Sequence, residues 1–218
     1  MLLECMKRFK FIGTVAMAGM GCFQFLSLTN NSNEASAKGH TQSSIPKAST
    51  YHEPPPGVDY STNPSVFGQI LSGQLPTRTL KESTNLLAFE DRSPAADLHG
   101  LIIPKRYIES IFSLDGHEDI ELVQEMHQMG LSLIEEYHPE ALATGDYVLC
   151  FHIPPFTSID HLHLHVLAPA SSMSWWYGSV KYKCPNWWCV SDTSVLERLQ
   201  EGKPAVPYKK PFKIFPTR

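Results

Sequence analysis

The 218-residue sequence is short of charge, short of cysteine and free of internal repeats. Only 18% of its residues are charged, and the net charge is −4 with the ten His counted as neutral. A protein that coats phosphate backbones is normally strongly basic, so this balance argues against nucleic acid as a standing partner. The five Cys (Cys5, Cys22, Cys150, Cys184, Cys189) are odd in number and sparse, so they do not make a disulfide framework, and the folded part reads as intracellular in style. Apolar residues are not lacking. At 42% of the chain, with 11% aromatics, they exclude wholesale disorder and collagen-like structure. The length suits one domain or slightly more.

The N-terminal region reads as lying outside that domain. Lys7, Arg8 and Lys10 precede an uncharged apolar run from Phe11 to Leu28. A basic flank before such a run, about 18 residues long, is the layout of a signal peptide or membrane anchor. Residues 1–28 are therefore expected to be a targeting or anchor segment, with membrane association through 11–28 and a cytoplasmic-type domain behind it. An organelle presequence is the competing reading. Residues 29–62 are rich in Ser, Asn, Thr, Ala and Pro and close on Pro54-Pro55-Pro56-Gly57. They hold too few large apolar side chains to offset their ordering entropy, so a disordered linker is expected. The folded domain is expected over 63–200, with a basic, Pro-containing tail over 201–218.

Within the domain, residues 66–71 read as a short helix closed by Ser72-Gly73. Strands are expected over 77–81, 86–90, 99–103, 146–151 and 161–168. Val123, Met126, Gly130, Leu133 or Ile134, and Tyr137 recur at helical spacing, which predicts one long helix over 118–137, ending before Pro139. A last short helix is expected over 192–200, with Asp192 as its cap. The fold class is α+β: a five-stranded antiparallel sheet, one long helix and short flanking helices.

The chemistry is concentrated on the fifth expected strand, Ser158-Ile159-Asp160-His161-Leu162-His163-Leu164-His165-Val166-Leu167. Side chains alternate along a strand, so His161, His163 and His165 share one face while Leu162, Leu164 and Val166 turn to the core. A metal is one use for such a row. The outer two His would stand about 13 Å apart on an extended strand, too far to share one ion, and Asp160 precedes the row rather than following it. Nucleophilic catalysis is the other use. A neutral imidazole attacks phosphorus with one ring nitrogen while the other, hydrogen-bonded, fixes the tautomer.

The run from His161 to Leu167 matches the His-Φ-His-Φ-His-Φ-Φ signature, where Φ is apolar, and the chain resembles the histidine triad superfamily. Three further segments resemble its HINT-type nucleotide-binding proteins in the expected order. They are Val66-Phe67-Gly68-Gln69-Ile70 with residues 73–76, the run from Leu87 through Glu90-Asp91 to Pro94, and the run from His99 to Lys105. The segment Phe151-His152-Ile153-Pro154-Pro155-Phe156-Thr157-Ser158 and the pair Trp187-Trp188 are similar to the third HINT type and to the aprataxin-like branch. Nothing after the domain resembles the aprataxin zinc finger. Cys184 and Cys189 have no second ligand pair downstream, so they read as structural rather than as a zinc site.

The resemblance implies roles. His163 corresponds to the nucleophile, His161 to the residue whose carbonyl orients it, and His99 to a fourth, buried His bonded to His161. His165 corresponds to a phosphate contact and Ser158 to the hydroxyl near the leaving group. Asp91 corresponds to the ribose acceptor beside Glu90, and Phe67, Ile70, Leu75, Phe89 and Leu101 to the walls of the adenine slot. His152 is a further candidate phosphate contact. The implied reaction hydrolyses nucleoside 5′-phosphoramidates, or acyl and aminoacyl adenylates, through a nucleotidyl-histidine and releases AMP. The implied partner is a purine nucleotide, with no metal and no cofactor. Family members often pair, so a homodimer is expected on the resemblance alone. Two other readings stand beside this one: an aprataxin-like hydrolase of adenylated DNA ends, and a nucleotide-binding interaction protein without turnover.

Overall fold

The computed structural model describes residues 50–210. The expected targeting segment and the linker up to residue 49 lie outside the described residues. Among the described residues six strands, one more than expected, form a single sheet in the order β1-β2-β3-β5-β4-β6, every neighbouring pair antiparallel. They are β1 (Thr79–Glu82), β2 (Leu86–Glu90), β3 (Leu98–Pro104), β4 (Val148–His152), β5 (Leu164–Ala168) and β6 (Cys189–Ser191). The helices are α1 (Val66–Leu71), α2 (His117–Tyr137), α3 (Pro139–Thr144) and α4 (Asp192–Gln200).

The two faces of the sheet carry different partners. On one, Leu86, Ala88, Ile102, Leu149, Phe151, Leu164 and Val166 pack against the apolar stripe of α2 and against Val195 and Leu199 of α4. Gly130 allows that approach, since a Cβ there would stand 3.0 Å from the Leu149 side chain. Glu118 and Asp119 in the first turn of α2 complement its positive end. On the other face Leu87, Phe89, Leu101 and Ile103 pack against Phe67, Ile70 and Leu71 of α1 and against Tyr60. The odd and even positions of the central strands thus separate helix support from the face that carries the histidines.

Besides the added strand and α3, the structure departs from the sequence reading at four further places. First, β5 begins at Leu164 rather than at residue 161. The preceding backbone has left the ladder: the Leu162 N–H donates to Ile108 O at 2.8 Å, and the His161 ring bonds Pro104 O. Second, α4 is capped by Ser191, whose side chain accepts from the Ser194 N–H. Asp192 instead meets His127 Nδ1 at 2.6 Å. Third, residues 50–62, expected in a linker, are folded onto the domain. His52 and Tyr60 are buried. The buried Lys105 ammonium pairs with Glu82 at 2.7 Å and donates to Glu53 O at 3.0 Å, and His52 Nδ1 also meets Glu82 at 2.9 Å. An ammonium so deeply placed requires these partners, and they tie the incoming chain to β1. Fourth, the core runs past residue 200: Ala205 and Val206 of the expected tail are buried in the main cluster.

Cys184 and Cys189 form a disulfide, and Cys150 is a buried free thiol. A sparse count excludes a framework of disulfides but not a single bond across a short loop.

A histidine site on the open face of the sheet

His99 on β3 and His165 on β5 lie diagonally across one antiparallel pair, since His99 is opposite Leu167 and Leu101 is opposite His165. Their rings stack with centroids 5.3 Å apart. His163, just before β5, brings its ring centroid to 5.1 Å from that of His165. Phe67 of α1 stands edge-on to His163 at 5.5 Å and at 5.6 Å from His161. All four histidines are buried.

The hydrogen bonds fix the tautomers. His163 Nδ1 lies 2.6 Å from the carbonyl oxygen of His161, so it carries the proton and donates. Its Nε2 is left as a lone pair. His161 donates from Nε2 to Pro104 O at 2.9 Å and accepts at Nδ1 from Asn63 Nδ2 at 3.0 Å. Asn63 is held in turn, its Oδ1 accepting from the Ser65 N–H at 3.0 Å and the Ser65 hydroxyl at 2.7 Å. His99 accepts at Nδ1 from the Ala95 N–H at 3.2 Å, so its Nε2–H donates to His165 Nδ1 at 3.0 Å. The proton of His165 must then sit on Nε2, and that buried atom has no partner among the described residues. A buried donor without an acceptor is costly, and an anionic oxygen placed there would satisfy it.

Burial pushes the pKa of every histidine of the site down. His161 falls to about 4, against the opposing pull of the Pro104 carbonyl. Burial also lowers His163, opposed by the His161 carbonyl and the Asp91 carboxylate. His165 lies well below the ordinary value, first through burial and then through the neighbouring His163, His152 and His99. Neutral imidazole is the nucleophilic form, so the site holds its histidines in the state that attack requires.

The other expected site residues are distributed around this row. Phe67, Ile70, Phe89 and Leu101 form one apolar cluster beside it, joined by Ile159. Leu75 is exposed and stands outside that cluster. Asp91 accepts the Ser93 N–H at 2.7 Å through one oxygen and places the other 3.7 Å from His99 Nε2. Glu90 points elsewhere and meets Arg78 at 3.2 Å. His99 is bonded to His165, and the partner of His161 is Asn63, which corrects the pairing expected from the sequence. Ser158 is exposed. A small cavity against His163 is lined by Thr157, Ser110 and His152 but not by Ser158. His152 donates Nε2–H to Lys181 O at 3.2 Å and stacks on Tyr182 at 5.2 Å. Burial takes its pKa down to about 4, and its ring stands 4.7 Å from that of His165.

Sequence reasoning missed Asn63 and Tyr182. Asn63 lies at the domain border, where no periodicity marks it. Tyr182 packs on His99, His152 and His165 from a stretch without regular structure. Lys181 beside it places its ammonium 5.0 Å over the Tyr182 ring. Among the described residues, Asp91, His99 and His165 bring ligand atoms within 4.8 Å of one another. The His99–His165 bond already occupies two of those nitrogens.

Gly68 of α1 gives a test of the support behind His161. A Cβ there would fall 2.7 Å from Asn63 O and 2.9 Å from Asn63 Cβ. Gly68→Ala is expected to displace Asn63 from His161, to destabilise the fold by about 1–3 kcal/mol and to lower turnover. Urea melts and initial rates on the same preparation check this. Unchanged stability with unchanged rate would show that Asn63 gives no support.

An antiparallel sheet with three alternating histidines, the middle one oriented by the carbonyl of the first, defines the histidine triad class. The chain belongs to the family described as "Scavenger mRNA decapping enzyme C-term binding", which matches residues 64–179, and within the class it is a HINT-type protein. It is 37% identical over 127 residues to the adenosine 5′-monophosphoramidase HINT3 of Danio rerio, covering 58% of this chain and 76% of that one. It is 34% identical over 145 residues to the protein of the same name from Mus musculus, covering 66% and 85%. It is 36% identical over 138 residues to the bifunctional adenosine 5′-phosphosulfate phosphorylase/adenylylsulfatase HINT4 of Arabidopsis thaliana, covering 62% and 90%.

Proposed function

We propose that this protein hydrolyses nucleoside 5′-phosphoramidates, and adenylates with acyl-type leaving groups, through a nucleotidyl-His163 intermediate that releases AMP. The observation that carries this reading is the 2.6 Å bond from His163 Nδ1 to His161 O, which leaves Nε2 as the nucleophile. The names of its relatives support an adenosine nucleotide as substrate.

The steps follow from the groups present. The base enters the apolar cluster of Phe67, Ile70, Phe89 and Leu101, and Asp91 accepts from the ribose hydroxyls. His165 Nε2–H donates to a phosphoryl oxygen. His163 Nε2 forms a bond to phosphorus as the bond from phosphorus to the leaving nitrogen or oxygen breaks. A departing amine takes its proton from the Ser158 hydroxyl, which the family resemblance puts near it and which water reprotonates, while a departing carboxylate needs none. Water then cleaves the phosphorus–Nε2 bond and His163 returns to neutral.

The test is AMP release from adenosine 5′-phosphoramidate by the purified chain with EDTA present and His163→Ala alongside. Release by the wild-type protein alone is the expected result. No release by either would overturn the reading. Sedimentation of the same preparation tests the expected homodimer, and co-flotation with vesicles tests association through residues 11–28.

A further inference from the structure

The sulfur atoms of Cys150, Cys184 and Cys189 lie within 4.8 Å of one another. They come from three separate places: β4, an irregular loop and β6. Four sulfurs around a tetrahedral Zn²⁺, each about 2.3 Å from the ion, stand roughly 3.8 Å apart. We propose that, once a dithiol reductant has opened the Cys184–Cys189 disulfide, Cys150, Cys184 and Cys189 form a thiolate site for a soft divalent cation of the Zn²⁺ class.

The step balances. The dithiol gives two electrons and two protons to the disulfide and becomes a disulfide itself, leaving two thiols at Cys184 and Cys189. The cation then displaces the protons of all three thiols. Water or an exogenous thiol completes the coordination.

The surroundings favour sulfur as the donor. Cys150 and Cys189 are buried, and their companions in the same cluster are Ala95, Leu167 and Tyr182. Cys184 is only half-buried and gives an ion its way in. Burial holds the Cys150 thiol protonated, yet a bound cation removes such a proton outright, and the Lys181 charge acts in the same direction. The cluster also has a structural task. Tyr182, two residues before Cys184, packs on His152 and His165. The Cys184–Cys189 disulfide, between the loop and β6, holds that ring in place. In a reducing compartment the disulfide does not persist, and a cation shared by the same sulfurs supplies the constraint.

The test uses the full chain with Cys5→Ser and Cys22→Ser, so that only these three cysteines remain. After dithiol reduction and removal of the reductant, it is titrated with Zn²⁺ or Cd²⁺ alone. One equivalent per chain is expected, with thiolate-to-Cd²⁺ absorption amounting to three sulfurs. The oxidised protein should show no such absorption. Because Cys150→Ser alters the core and is liable to misfold, Cys184→Ser is run beside it, and either should weaken binding at least about tenfold. Binding undiminished in Cys184→Ser would place the ion elsewhere and overturn the proposal. So would a folded, reduced protein that takes up no cation.

Discussion

His163→Ala is expected to lower turnover of an adenosine phosphoramidate by at least about 10⁴-fold, with nucleotide affinity changed little. The size of the effect follows from the division of labour in the site. In the proposed reaction base and ribose are held by the Phe67 cluster and Asp91, which the substitution leaves in place apart from the edge contact between Phe67 and the His163 ring. In that reaction the bond to phosphorus is made by one atom, His163 Nε2. Its neighbours cannot replace it: His161 spends both ring nitrogens on Pro104 and Asn63, and His165 spends Nδ1 on His99 and carries its proton on Nε2. Single-turnover rates and calorimetric nucleotide binding on a variant shown folded by circular dichroism separate the two effects. A variant turning over near the wild-type rate would remove the nucleotidyl-histidine route altogether. A variant that also loses binding would mean that the ring is part of the slot, through its edge contact with Phe67.

What the sequence shows of this site, and what it hides, divides along a physical line. The triad is legible because alternation on a strand has a period of two, and three histidines set against Leu162, Leu164 and Val166 use that period fully. The long helix is legible for the same reason at a period near 3.6. Contacts made by irregular chain have no period. Asn63 reaches His161 from just before a helix, and Tyr182 reaches three histidines from a loop. Neither carries a local signal, because each is fixed by residues far away in the chain. The strand β6 was hidden by its length: three residues beside a disulfide and a helix cap leave no alternation to read. The burial of His52 was hidden by composition, since a stretch rich in Ser and Pro can still be tied down by contacts from Glu82 and Lys105, far along the chain.

Acid is expected to destabilise this protein through its buried histidines. His161 and His152 are buried, and both have native pKa values of about 4 against an ordinary 6.5. Between those values the unfolded chain binds protons that the native chain refuses, so stability falls as pH falls. It is fully present above pH 6.5 and is lost on the way down to about pH 4. Each group contributes about 3 kcal/mol to the loss. His99, His163 and His165 are shifted in the same direction and add to it. The net stability of a domain is about 5–15 kcal/mol, so these terms are large enough to unfold it. Urea melts from pH 7.5 to 4.5 should show stability dropping from near pH 6.5, with a slope of about 1.4 kcal/mol per pH unit for each refused proton. His152→Gln should flatten that slope by roughly one proton. The loss of activity should follow the loss of structure, because the burial that lowers the His163 pKa lasts only as long as the fold does. A stability curve flat from pH 7 to 4.5 would show that these histidines accept protons within the native state, and the neutral, tautomer-locked site described here would then have to be redrawn.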